Sequence, residues 1–324
     1  MFLKPGKLNC LSLNSFISKK NCGAPPATRK KNCKPVSERL NPLKKRCLKA
    51  ADGTAGMKII HFSDFHAGGP AEDWLAYLDK RWVGVFNYRF RRRFRHDQNK
   101  LQKAVEYILD TRPDVAICTG DLTSTGQPGE FALVREVLKP LQASNIPMIF
   151  VPGNHDYYVY REKCVRAMKE MFLFMNKSEF GFDDLPVARE IAGAQFILVN
   201  ESWPSNLISS CGYLKNPSSE FVEQLCCKEK TCPRILVGHY PLIEDHPWLR
   251  VRHRLWGQKK VLELLLNKQL DLSLCGHVHL PYERIDDTGR GEYCAGSVTR
   301  NGCMSEIDYD KTMNIFSLKK ISLM

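Results

Sequence analysis

An α/β domain is the fold class this chain predicts, and three observations carry the prediction. Apolar strand-like runs alternate with helix-patterned stretches from Met57 onward. Short clusters of oxygen and nitrogen side chains follow five of the apolar runs. The 268 residues after Gly56 contain no repeat or low-complexity linker, so they suit one large core. In order, residues 57–63 form the first strand, and Asp97 caps a helix whose apolar face is Leu101, Ala104, Val105, Ile108 and Leu109. That helix stops before Pro113, and residues 114–119 form the next strand. Phe131, Val134, Val137, Leu138 and Leu141 mark a second helix, followed by a strand over 146–151. Residues 195–199, 234–237 and 272–275 are further strands, and 282–286, 291–295 and 313–318 predict a closing antiparallel meander.

The clusters are Asp64-Phe65-His66, Gly120-Asp121, Gly153-Asn154-His155-Asp156, Gly238-His239 and Gly276-His277-Val278-His279. A lone His-x-His pair at a strand end is more often solvated than ligating, but five such clusters, each placed where a buried strand ends, point to one metal site. Carboxylate, imidazole and amide oxygen suit Mn, Fe, Zn or Co, and the absence of Cys from every cluster argues against a structural zinc. Asp64, His66, Asp121, Asn154, His239, His277 and His279 are too many for one tetrahedral centre. They suit two divalent or trivalent ions sharing a carboxylate, roughly 3.5–4 Å apart, which clamp a phosphoryl group. A departing alkoxide needs a proton, and His155 is the nearest candidate in sequence, its alternatives being a further ligand or a plain loop histidine. Gly153 allows the tight reversal ahead of Asn154, with positive φ one way to achieve it.

In order and spelling these clusters resemble the calcineurin-like metallophosphoesterase superfamily, in its bacterial-type phosphodiesterase branch, across residues 58–300. The resemblance implies two stacked mixed β-sheets flanked by helices, a four-layer αββα sandwich. It implies that Asp64, His66, Asp121 and His279 hold one metal and Asp121, Asn154, His239 and His277 the other, with Asp121 bridging. It places His155 near the leaving-group oxygen, with Asp156 orienting it, and a metal-bridging hydroxide as the nucleophile. Residues 64–69, 119–126 and 151–156 look like the branch that includes cyclic-nucleotide phosphodiesterases, so a small anionic phosphodiester is the expected substrate. The rival readings are a non-catalytic scaffold on the same fold, a nuclease and a phosphomonoesterase.

Composition bounds the remainder. The chain carries 48 Lys and Arg against 35 acids, but residues 1–56 hold 13 of the basic residues and only Glu38 and Asp52, which leaves 57–324 at +2. A nucleic-acid partner is therefore not favoured for the globular part. The leading segment is broken by five prolines and lacks an apolar secretory core, so it reads as disordered. Three origins fit it: a mis-set start ahead of Met57, an organelle transit peptide, or a basic tail. Cys118 and Cys275 sit inside apolar runs as free thiols would, which points to a reducing, cytoplasmic setting, and no apolar run is long enough to span a membrane. Residues 80–96 stand apart. Trp82, Phe86, Phe90 and Phe94 recur every fourth position, with Arg89, Arg91, Arg92, Arg93 and Arg95 around the rest. The plainest reading is an amphipathic helix packed on the domain; the others are a phosphate-recruiting lid and peripheral contact with an anionic membrane.

Overall fold

The computed structural model describes residues 56–323 apart from 92, 93, 95, 205–209 and 244–252. The readings placed on residues 1–55 lie outside the described residues. Contacts divide the chain into Met1–Asn41 and Pro42–Met324, and all described residues lie in the second unit. In chain order the strands are β1 (Met57–Phe62), β2 (Val115–Cys118), β3 (Met148–Phe150), β4 (Val187–Ile191), β5 (Ala194–Leu198), β6 (Gly212–Tyr213), β7 (Arg234–Val237), β8 (Leu255–Trp256), β9 (Leu272–Cys275), β10 (Tyr282–Ile285), β11 (Gly291–Cys294), β12 (Cys303–Asp310) and β13 (Ile315–Ser322). The helices are α1 (Arg81–Phe90), α2 (Asn99–Thr111), α3 (Pro128–Ala143), α4 (Glu162–Met175), α5 (Asn216–Cys226), α6 (Lys259–Leu266) and α7 (Val298–Asn301), with a 3-10 turn, Trp74–Tyr77, ahead of α1. One sheet runs β13-β12-β1-β2-β3, a second runs β10-β11-β9-β7-β5-β4, and β6 pairs with β8.

The strands that lead to the ligand clusters are buried on both faces, which is why their sequences read as continuous apolar runs. β1 sends Met57 and Ile59 between the sheets and Ile60 and Phe62 toward the helices; β2 divides Val115 and Ile117 from Ala116 and Cys118 in the same way. Phe196, Ile235 and Leu274 meet them from the second sheet. Helices α2, α3 and α4 cover the outer face of the first sheet through Leu101, Ile108, Leu138 and Phe172. Helices α5 and α6 cover the second through Phe221, Val222, Val261 and Leu265. The result is the expected four layers, helix, sheet, sheet, helix. Within it β1, β2 and β3 run parallel, as do β5, β7 and β9, so the loops carrying the clusters leave the carboxyl ends of their strands.

Three local expectations need correction. Strands β10 and β11 do form an antiparallel hairpin, but residues 313–318 fall in the segment around β13, which pairs with β12 in the other sheet. The sequence pattern misses β12 because it buries Ser305 and Glu306 beside Met304 and Ile307. The Glu306 carboxylate is accommodated by Lys58 Nζ at 2.8 Å and the Tyr107 hydroxyl at 2.7 Å. Asp97 precedes the N-cap residue Gln98, although its carboxylate still accepts from the Asn99 N–H at 3.0 Å.

The third correction reverses the aromatic stripe. Helix α1 turns Trp82, Phe86 and Phe90 outward, 47, 56 and 56 % exposed. Its inner face carries Arg81 and Gly84 instead. A Cβ at Gly84 would collide with the Thr125 side chain, and one at Gly68 would collide with the Tyr88 ring, so the helix backbone approaches the body where glycine permits. The fully buried Arg81 guanidinium meets Asp79 at 2.9 Å and Asp73 at 3.3 Å. Close approach and a buried ion cluster orient this helix, and hydrophobicity does not.

Candidate metal centre

Backbone conformation brings the donors together. Asp64, His66, Asp121, His277 and His279 all have φ between 49° and 68°, the left-handed region that side-chain-bearing residues rarely occupy. Each turns sharply at the end of a parallel strand, and hydrogen bonds hold the turns: Asp64 N–H to Gly120 O at 3.0 Å, and His66 N–H to Asp121 O at 2.9 Å. Gly153 has a different role from the one expected. Its φ is not positive; a Cβ there would collide with the Asp121 side chain, so glycine is required for proximity.

All seven expected donors converge, in two groups. Asp64, His66, Asp121 and His279 place ligand atoms within 4.8 Å of one another, and so do Asp121, His239 and His277. In the first group His66 Nε2 and His279 Nε2 are 2.7 Å apart, and Asp64 Oδ1 lies 3.1 Å from the second and 3.5 Å from the first. In the other, His277 Nδ1 is 3.2 Å from His239 Nε2, and Asn154 Oδ1 is 3.3 Å from the same nitrogen. Asp121 Oδ2 stands between them, 3.7 Å from His66 Nε2 and 3.5 Å from His239 Nε2.

The donor set fits metal ions. Asp64 Oδ1 is buried and meets no well-aligned hydrogen-bond donor. Nitrogen and oxygen lone pairs aimed at common points are resolved by cations better than by a shared proton. Burial holds the His239 and His277 imidazoles below their usual range, and so in the neutral form that ligates metals. Burial alone would raise Asp64, but the adjacent His279 and His66 draw it well below the ordinary carboxylate range. The outer partners fix ring orientation. His239 donates Nδ1–H to Thr119 O at 2.6 Å, which leaves Nε2 as the donor atom facing the site.

His155 lies at the rim. Its ring is 4.8 Å, edge to face, from that of His66 and stacks on Tyr158 at 5.2 Å. The Ser124 carbonyl accepts from His155 Nδ1 at 2.7 Å, and the His155 N–H donates to Asp121 Oδ1 at 2.8 Å. Asp156 serves the loop and not the ring: its oxygens accept from Gly153 N–H at 3.0 Å, Thr123 N–H at 3.0 Å and Thr123 Oγ1 at 3.2 Å. Burial, then the charge of Asp121, pushes the Asp156 carboxyl up to about 7.

Further neighbours complete the surroundings: His253 and Glu201 escape sequence reasoning as single residues without a motif, while Lys80 and His96 bound the segment 80–96, which stands apart in the sequence. His253 Nδ1 faces His277 Nε2 at 2.9 Å. His96 packs edge-on against His66 and bonds Thr299 Oγ1 at 2.7 Å. Lys80 Nζ lies 4.2 Å from the centre of the Tyr158 ring. Glu201 accepts the N–H groups of His239 and Tyr240, each at 2.8 Å, and burial raises its carboxyl to about 8. Only the glycine of Gly238-His239 hinted at it, since a Cβ at Gly238 would press on the Glu201 carboxylate.

Residues 57–281 match the family model described as calcineurin-like phosphoesterase. The chain is 27 % identical over 177 residues to a probable glycerophosphodiester phosphodiesterase of Arcobacter nitrofigilis, covering 53 % of this chain and 58 % of that protein. It is 25 % identical over 183 residues to a 3′,5′-cyclic-nucleotide phosphodiesterase of Nostoc sp., covering 55 % and 60 %. These alignments thus span little more than half the length of the curated relatives. Among solved structures, a dimetal phosphatase of Danio rerio superposes with a TM-score of 0.56 at 12 % identity, covering 83 % of this chain and 96 % of that one, a likeness of fold.

Proposed function

Because the chain belongs to the calcineurin-like phosphoesterase family, we propose that it hydrolyses phosphoesters, phosphodiesters foremost, at a dinuclear metal centre held by Asp64, His66, Asp121, Asn154, His239, His277 and His279. The observation that carries this reading is the position of Asp121 Oδ2 between the two imidazole groups. Two bound Mn, Fe, Zn or Co ions would supply Lewis acidity toward the phosphoryl oxygens and lower the pKa of the attacking water.

The protein's own residues supply the rest. With Nδ1–H given to the Ser124 carbonyl, His155 presents Nε2 to the rim, where the doubly protonated ring would pass its Nε2 proton to the oxygen of the departing alcohol and keep the Nδ1–H. Stacking on Tyr158 holds the ring plane. Asp156 ties residues 123 and 153 together and so fixes the backbone on which His155 is mounted. Lys80, over the Tyr158 ring, adds positive charge on the same side, which favours an anionic ester. The names of the two relatives support a diester over a monoester. The test is reconstitution with Mn²⁺ followed by a substrate panel: 3′,5′-cyclic nucleotides, bis-nitrophenyl phosphate, nitrophenyl phosphate and single-stranded DNA. Faster turnover of the nitrophenyl diester than of the monoester is expected. Two bound metals with no hydrolysis of any ester would instead support a scaffold.

A further inference from the structure

The aromatic face of α1 has no role in the centre just described, although the same helix packs on Thr125 through Gly84 and on Gly68 through Tyr88. Trp74, Tyr77, Leu78, Trp82, Phe86 and Phe90 are all exposed, Trp74 and Leu78 by 70 and 67 %. Residues 74, 78, 82, 86 and 90 repeat every fourth position, and the Phe86 and Phe90 rings touch at 4.5 Å. A patch of this kind on a soluble surface marks an interaction site.

We propose that this patch docks the protein onto the surface of an anionic lipid bilayer, with the helix lying in the interface and the metal centre beside it. Charge selects this occupant. Residues 82–95 carry five arginines and no acid, while residues 57–324 as a whole net only +2. Asp79, just ahead of them, is neutralised, bound by Arg81 at 2.9 Å and Arg161 at 3.1 Å. Aromatic rings with flanking arginines are the composition that settles at the headgroup boundary of anionic membranes. A second copy of the chain would bring two strongly basic segments together, which repel. Single-stranded nucleic acid would seek a groove tracking several phosphates, whereas the exposed rings here repeat along a single helix. Among the described residues no helix is long and apolar enough to cross a membrane, so the contact is peripheral.

Vesicle sedimentation tests this without requiring turnover, so it stands or falls separately from the hydrolase reading. The full chain should sediment with vesicles of phosphatidylcholine plus phosphatidylglycerol, more weakly at high salt, and little with phosphatidylcholine alone. W82S/F86S/F90S should lower partitioning by about tenfold per ring. R89A/R91A should lower it by about fivefold per arginine, on the anionic vesicles only. Melting temperature and hydrolysis of a soluble diester monitor folding, and the single F86S change serves if the triple variant fails to fold. Equal sedimentation of wild type and aromatic variants, or none with anionic vesicles, overturns the proposal. So does loss of self-association or of single-stranded DNA binding in the aromatic variants while vesicle binding is unchanged.

Discussion

At the scale of single residues, the proposed function divides the side chains into those that would hold metal and those that would handle the proton. Asp121 Oδ2 lies between the two donor groups, so under the proposed function Asp121→Ala should abolish hydrolysis and drop bound metal toward none, measured by elemental analysis beside turnover; two retained metals with normal rate would overturn the assignment. His155→Ala should leave metal content near wild type and lower kcat by roughly 10²–10⁴ on esters with poor leaving groups. Nitrophenyl esters, whose leaving group needs little help, should suffer less, and an equal loss on both would make His155 structural. Glu130 offers a test apart from the metals. It is buried in the first turn of α3, where it accepts from Thr125 N–H at 2.8 Å and Thr125 Oγ1 at 2.9 Å. Burial outweighs these donors and raises its carboxyl from 4.5 to about 7. Because the folded value lies above the unfolded one, the stability this group contributes is fully present below about pH 4.5 and is lost as pH rises through about 7. Glu130→Gln should therefore flatten the fall in melting temperature across that window; an unchanged slope would mean the carboxyl titrates normally.

At the scale of elements, α1 is the informative case. Its orientation rests on Gly84 against Thr125 and on Arg81 between Asp73 and Asp79. Gly84→Val forces a side chain into occupied space, and the cost should be roughly 1–3 kcal/mol, read from the denaturant midpoint. Phe86→Ala on the outer face should stay within about 0.5 kcal/mol of wild type. The reverse ranking would mean that the helix packs through its aromatic rings after all. Sequence periodicity located this helix but chose the wrong face, because a hydrophobic pattern carries no information about where a backbone can come close.

For the whole molecule, the centre joins the two sheets, since β1, β2 and β3 carry donors from one and β7 and β9 from the other. Ions bound there would stabilise the native state by mass action, by about 2.7 kcal/mol at a hundredfold excess over Kd. Removing metal with a chelator should lower the melting temperature by several degrees, and Mn²⁺ should restore it; no change on chelation would argue against a resident metal. We further propose that residues 57–324 are the folding unit. β1 starts at Met57, paired on one side with β12 and on the other with β2, so a chain starting at Met57 should match the full chain in melting temperature and turnover.

Apolar strand runs, and the polar clusters that end them, by themselves determined the α/β class and pointed to the seven candidate donor positions, because apolar periodicity and ligand chemistry are local properties of the chain. Most of the strands and helices needed to place the site are legible for the same reason. The family resemblance already implies the two donor groups with Asp121 between them, and the structure places Asp121 Oδ2 there; only the tertiary structure decided that the Ser124 carbonyl and not Asp156 holds the His155 ring. It alone placed β12 between β1 and β13, through a buried Glu306 that Lys58 and Tyr107 satisfy from afar. His253 and Glu201 reach the site from segments with no motif. These are contacts between residues distant in sequence, set by where the backbone can approach and where a buried charge finds its partner, and no pattern along the chain encodes them.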